Sequence, residues 1–158
     1  MNQTDYNNLD PSPNFVTFHG FLLDSGNIES LKSLPTRRIE FIGDSITAGF
    51  CNLCPVDNNP TYEVESFALS WPSLVSQRLN ATYHTSAWSG FGMVRNCCGG
   101  STYMPEIFTR ILGSVVGVGN DWNFSDWIPD VVVINLGTND GLNEVIAGNP
   151  LIPAIIIL

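Results

Sequence analysis

The sequence predicts a three-layer α/β protein built on a parallel sheet, and three observations carry that reading. "RIEFI" (Arg38 to Ile42) and the run from Asp130 to Leu136 are short, near-continuous apolar stretches of the kind buried on both faces of a sheet. Segments with helical start and stop signals stand between the apolar runs. Strand, helix, strand, helix, strand at these intervals implies right-handed crossovers and therefore parallel neighbours.

Taken in chain order, "NFVTFHGFLLD" (Asn14 to Asp24) alternates enough to form a strand, and "SGNIESLKSLPT" is a linker with Pro35 near its end. The first buried strand is Arg38 to Ile42. "SWPSLVSQRL" (Ser70 to Leu79) reads as a helix, with Ser70 as cap, Pro72 in the first turn and Arg78 near the C-terminus. "TYHTSAW" (Thr82 to Trp88) is a second strand running into Gly90 and Gly92, and "MPEIFTRIL" (Met104 to Leu112) a second helix. "PDVVVINLGTND" (Pro129 to Asp140) holds the clearest buried strand. Beyond it, Leu142 to Ala147 is barely over a helical turn, and "AIIIL" reads either as a fourth strand or as an apolar tail.

The bulk numbers bound the function. With 158 residues, 44% of them hydrophobic, the chain is long enough for one real core. Six Lys and Arg against fifteen Asp and Glu give a net charge of -9, which excludes nucleic acid and anionic membranes as partners and fits a neutral or cationic substrate. No apolar run approaches the roughly 20 residues of a membrane span. Asn-x-Ser/Thr sequons at Asn2, Asn80 and Asn123, with four cysteines, point to an extracellular protein, with the cytoplasm as the alternative because no signal-peptide core is present. Cys51-x-x-Cys54 and the adjacent Cys97 and Cys98 lack the second ligand pair of a zinc site, leaving loop disulfides or free thiols.

In parallel α/β sheets the working groups collect at the carboxyl ends of the strands. Three strand ends carry Gly43-Asp44-Ser45, Ser89-Gly90-Phe91-Gly92 and Gly137-Thr138-Asn139-Asp140. Ser45 opens a helix, where backbone N–H groups favour an incipient oxyanion. Gly90 has no side chain to keep its N–H from a ligand, and Asn139 aims a side-chain N–H. A serine nucleophile with three converging donors is the equipment of acyl transfer.

These blocks carry a family resemblance. "FIGDSITAGF", "SAWSGFG" and "VVVINLGTND" resemble the nucleophile, glycine and Gly-x-Asn-Asp blocks of the SGNH (GDSL-type) hydrolases. More narrowly, "FHGFLLD", "RRIEFIGDSIT" and "AWSGFGMVRN" are similar to the two-domain acetyl (xylan) esterases of carbohydrate esterase family two. The resemblance implies a flavodoxin-like hydrolase domain over residues 35–158, preceded in residues 1–34 by the remnant of a β-sandwich domain. It implies deacetylation of plant polysaccharides or other carbohydrate acetyl esters, with no metal or organic cofactor. Ser45 is then the nucleophile; its N–H, the N–H of Gly90 and the side chain of Asn139 form the oxyanion hole, and Trp88 is a candidate sugar-stacking residue. A bridge between the Cys51/Cys54 and Cys97/Cys98 loops would brace the rim of that site.

The family keeps its catalytic histidine near the C-terminus. This chain has two histidines, and both precede Asn139: His19 in the remnant strand and His84 within the second strand. The expectation is a chain cut at both ends, missing most of the β-sandwich and the base-bearing segment, and inactive alone. A non-catalytic carbohydrate-binding protein or pseudoenzyme is the alternative.

Overall fold

The computed structural model describes residues 18–30, 33–55, 62–113, 115, 117, 119–141 and 154–157. The sheet is formed by β1 (Arg37–Gly43), β2 (Ala81–Ala87), β3 (Val131–Leu136) and β4 (Ala154–Ile157), ordered β2-β1-β3-β4. β1 pairs in parallel with both β2 and β3, placing Gly43 opposite Ala87 on one side and Asn135 on the other. The three parallel strands therefore end together. The expected parallel α/β sheet is present.

Alternate residues of each strand serve opposite layers. Ile39, Phe41, Ala81, Tyr83 and Val133 face helix α2 (Trp71–Leu79), packing on Trp71 and Val75. Phe41 is 1% exposed and meets the Trp71 ring edge-on at 5.1 Å. Ile42, Val132, Ile134 and Leu136 face helix α3 (Met104–Phe108), packing on Met104, Ile107 and Phe108. Apolar contact on both faces explains why β1 and β3 read as near-continuous hydrophobic runs. Burying a side chain such as Phe41 contributes about 1.5–3 kcal/mol.

One polar residue interrupts the α3 face. Glu40 is only 9% exposed and lies between His84 and Val132 in register. Burial pushes its carboxyl pKa above the usual value.

Several sequence expectations need correction. The described part of Asn14 to Asp24, residues 18–24, contains no strand: Phe18, Phe21 and Leu22 are exposed, so no sheet partner satisfies that backbone. Residues 14–17 and 142–147 lie outside the described residues. α3 ends at Phe108 instead of Leu112, because Arg110 leaves the helix to bridge Asp121 and its guanidinium donates to the Gly113 carbonyl. Ser70 occupies the N-cap of α2, but its hydroxyl donates back to Phe67 O at 2.7 Å and caps no helical N–H. β4 runs antiparallel to β3, with Ala154 opposite Leu136. The segment joining them carries Gly148, Pro150 and Pro153, poor material for the crossover helix that a parallel strand needs.

Candidate active site

At the end of β1 the chain turns at once into helix α1 (Ser45–Ala48), a single turn. Asp44, fully buried, caps it by accepting the Ile46 N–H at 3.0 Å. Thr47 folds back over Gly43, so closely that a Cβ on residue 43 would overlap the Thr47 side chain. The tight turn thus requires glycine at 43, and Asn135 at the matching height on β3 donates to Thr47 Oγ1 at 3.4 Å. Gly49, in the left-handed region at φ 94°, ends the turn. Ser45 is thereby fixed at the strand end, 8% exposed. The helix is too short for a large dipole, so any oxyanion stabilisation at Ser45 rests on local N–H groups.

The Asp44 carboxyl is held above the usual carboxylate range, chiefly by burial; the nearby Asp140 charge adds to this, and the Ile46 N–H and the Thr138 hydroxyl oppose it. Asp44 Oδ2 is buried and accepts no hydrogen bond; Thr138 lies beside it as a polar neighbour.

The end of β2 is joined to β1 where Trp88 N donates to Gly43 O at 3.1 Å. Gly90 then takes φ 81°, a conformation side chains disfavour, and Cys97 N closes the loop on Gly90 O at 3.0 Å. Gly92 is hemmed in: its N–H reaches Asn96 Oδ1 at 3.1 Å, and its carbonyl accepts the N–H of Met104 at 2.9 Å, tying the loop to α3.

The end of β3 supplies Asn139, 6% exposed, whose Nδ2 donates to Phe91 O at 2.7 Å. Each amide nitrogen carries two hydrogens, so one can hold the glycine loop while the other serves a ligand. The next residue, Asp140, accepts N–H bonds from Met93, Val94 and Arg95. The structure thus brings the Ser45, Gly90 and Asn139 loops to one edge of the sheet and stitches the second to the third. Sequence reasoning missed the contributions of Thr47, Asn96 and Asn135 and assigned none to Asp140; only the Gly-Thr-Asn-Asp string hinted at the last.

Other candidates fall elsewhere. Trp88 lies beside the site, but its ring stacks on Phe91 at 5.4 Å, packs on the α3-side core and would collide with any Cβ at Gly113. The cysteines pair within their own loops, Cys51 with Cys54 and Cys97 with Cys98, which overturns the expected bridge between the loops. His84 sits three residues before the end of β2, roughly 10 Å back along the strand. Its imidazole stacks on Trp127 at 3.9 Å and meets Trp122 edge-on; burial there lowers its pKa. His19 is exposed in the N-terminal stretch. Neither imidazole hydrogen-bonds to Ser45.

The sequence and the fold have known relatives. Residues 39–152 match the family described as GDSL-like Lipase/Acylhydrolase, and the chain belongs to that family. It is 38% identical over 132 residues to the cellulase/esterase CelE of Acetivibrio thermocellus, covering 79% of this chain and 15% of that protein. It is 30% identical over 126 residues to an acetylxylan esterase / glucomannan deacetylase of Cellvibrio japonicus, covering 78% of this chain and 35% of the other. Among solved structures, a family two carbohydrate esterase from Clostridium thermocellum in complex with cellohexaose superposes with a TM-score of 0.70 at 35% identity, covering 77% of this chain and 37% of that one. The chain therefore spans well under half the length of these relatives.

Proposed function

We propose that this chain carries the nucleophile and oxyanion hole of a serine esterase that removes acetyl groups from plant polysaccharides. The observation that supports this most is the convergence of Ser45, Gly90 and Asn139 on one sheet edge, with Asn139 bonded to the loop that bears Gly90. Ser45 Oγ attacks the acetyl carbonyl carbon while its proton passes to a base. The carbonyl oxygen becomes an oxyanion facing the N–H groups of Ser45 and Gly90 and the amide of Asn139. Collapse of the tetrahedral intermediate breaks the bond to the sugar oxygen, which takes the proton. Water then attacks the acetyl-serine and releases acetate and free Ser45.

The net charge of -9 suits a neutral sugar ester, and Trp88, just past β2 and only half-buried against Phe91 and the core, is the residue we assign to contact with a sugar ring through its free edge. Residues 35–158 carry the hydrolase part, and residues 1–34 belong to a preceding domain. The two disulfides favour an oxidising location outside the cell. The positions of His19 and His84 favour a second reading, in which the 158-residue chain holds a sugar without turning it over.

One experiment separates them. Hydrolysis of an aryl acetate and acetate release from acetylated glucomannan are followed with and without added imidazole, in wild type, Ser45→Ala and Asn139→Ala. The expected result is slow hydrolysis without imidazole and a Ser45-dependent increase with it, cut on the order of 10²–10³-fold by Asn139→Ala. Identical rates in wild type and Ser45→Ala at every imidazole concentration, with glucomannan still bound, would favour the binding reading.

A further inference from the structure

Three successive backbone N–H groups converge on one carboxylate at the rim of the site. Met93 N donates to Oδ2 of Asp140 at 3.0 Å, and Val94 N and Arg95 N donate to Oδ1 at 2.7 and 3.1 Å. Arg95 Nε returns to the Asp140 carbonyl at 2.9 Å. Bonds to an ionised acceptor are roughly twice as strong as neutral ones. The clamped turn is continuous with Gly90: Gly92 N bonds Asn96 Oδ1, and Cys97 N bonds Gly90 O.

We propose that Asp140 is a positioning residue for the oxyanion hole, its carboxylate holding Met93–Arg95 so that the Gly90 N–H stays in place. The inference rests on the esterase reading of Ser45. The chemistry requires a carboxylate. All three backbone partners are donors, and an asparagine offers one acceptor oxygen and one NH₂. Whichever way an amide were turned, its NH₂ would face Met93 N–H or both Val94 and Arg95 N–H. Asp140→Asn keeps the shape and sets donor against donor; Asp140→Ala removes the group and leaves the donors to water.

The test uses the 158-residue chain as wild type, Asp140→Asn and Asp140→Ala, with two readouts. Amide hydrogen exchange should quicken roughly tenfold or more at Met93, Val94 and Arg95. It should also quicken at Gly92 and Cys97, whose N–H groups bond to Asn96 Oδ1 and Gly90 O and not to Asp140, while Ile39 and Phe41 in β1 stay unchanged. In imidazole-assisted aryl acetate hydrolysis kcat should fall on the order of 10²-fold at constant KM, the effect of misplacing a reacting group by about 1 Å. Faster exchange confined to residues 93–95, or an unchanged kcat, overturns the inference. Acceleration in β1 as well would mark a global loss of stability and also overturns it. If wild type itself shows no Ser45-dependent hydrolysis, the esterase reading fails, and exchange at Gly92 and Cys97 alone decides the clamp.

Discussion

Gly92→Ala tests whether the loop bearing Gly90 is as tightly wedged as the structure has it. Gly92 does not need a left-handed backbone; it needs room. A Cβ at this position would overlap the Arg95 carbonyl oxygen most closely of all, and would stand 2.5 Å from Asp140 Oδ2 and 2.7 Å from its Cγ. Ordinary van der Waals contact begins near 3.4 Å, so the carboxylate must retreat by roughly 1 Å. A retreat of that size stretches the 3.0 Å bond from Met93 N beyond hydrogen-bond reach. Losing one such charged bond costs about 1.5–3 kcal/mol, and overpacking alone typically costs about 1–3 kcal/mol, so about 3 kcal/mol is expected. The assay is urea unfolding. With a slope of about 1–3 kcal/mol per molar, the midpoint should drop by about 1–3 M at unchanged slope. Asp140→Ala in the same chain relieves the overlap with the carboxylate, so the two costs should fall short of additive. A midpoint shift below about 0.3 M, or strict additivity with Asp140→Ala, would refute the wedge.

Two further outcomes follow from the titrating groups. Burial raises the folded-state pKa of Glu40 above its ordinary 4.5, so the folded state holds that proton more tightly than the unfolded chain. Its stabilising contribution is complete below the unfolded value and is lost as pH rises through the folded one; Glu40→Gln should therefore be more stable than wild type at neutral pH, with the gap narrowing towards pH 4. Urea midpoints across that range check this, and a gap that widens in acid would contradict it. His84 is exposed apart from its tryptophan contacts, so Trp127→Ala should strip the stacked indole from its imidazole and return its lowered pKa upward towards 6.5, read from the pH dependence of its ring proton resonances. An unchanged titration would mean that the Trp127 stack is not the source of the burial.

What was legible in the sequence follows from how local the determinants are. β1 and β3 announced themselves because both their faces are covered, making the apolar runs continuous; β2, more polar and with His84 exposed, reads as a strand running into Gly90 and Gly92, and all three boundaries are accurate within a residue or two. The convergence of Ser45, Gly90 and Asn139 was legible because parallel strands must end together. α3 was overextended because Arg110 looked like a C-terminal helix charge, whereas its long-range pairing with Asp121 decided its conformation. The stretch around Phe18 to Asp24 alternates like a strand, but alternation cannot supply the sheet neighbour that makes one. The clamp at Asp140 was illegible because its partners lie about 45 residues back in the chain, and no periodicity reports such a contact. The Cys97–Cys98 pairing was equally hidden, since spacing alone left the connectivity open.

In the proposed reaction the three strand ends make Ser45 the acyl acceptor, with the oxyanion held beside it. The most direct measurement is to incubate the chain with an aryl acetate and imidazole, quench in acid, and map acetylation by mass spectrometry. An acetyl group is expected on Ser45, formed on the order of 10²–10³-fold more slowly in Asn139→Ala and absent in Ser45→Ala. Acetylation spread over other serines or lysines, at a rate indifferent to Asn139, would contradict it.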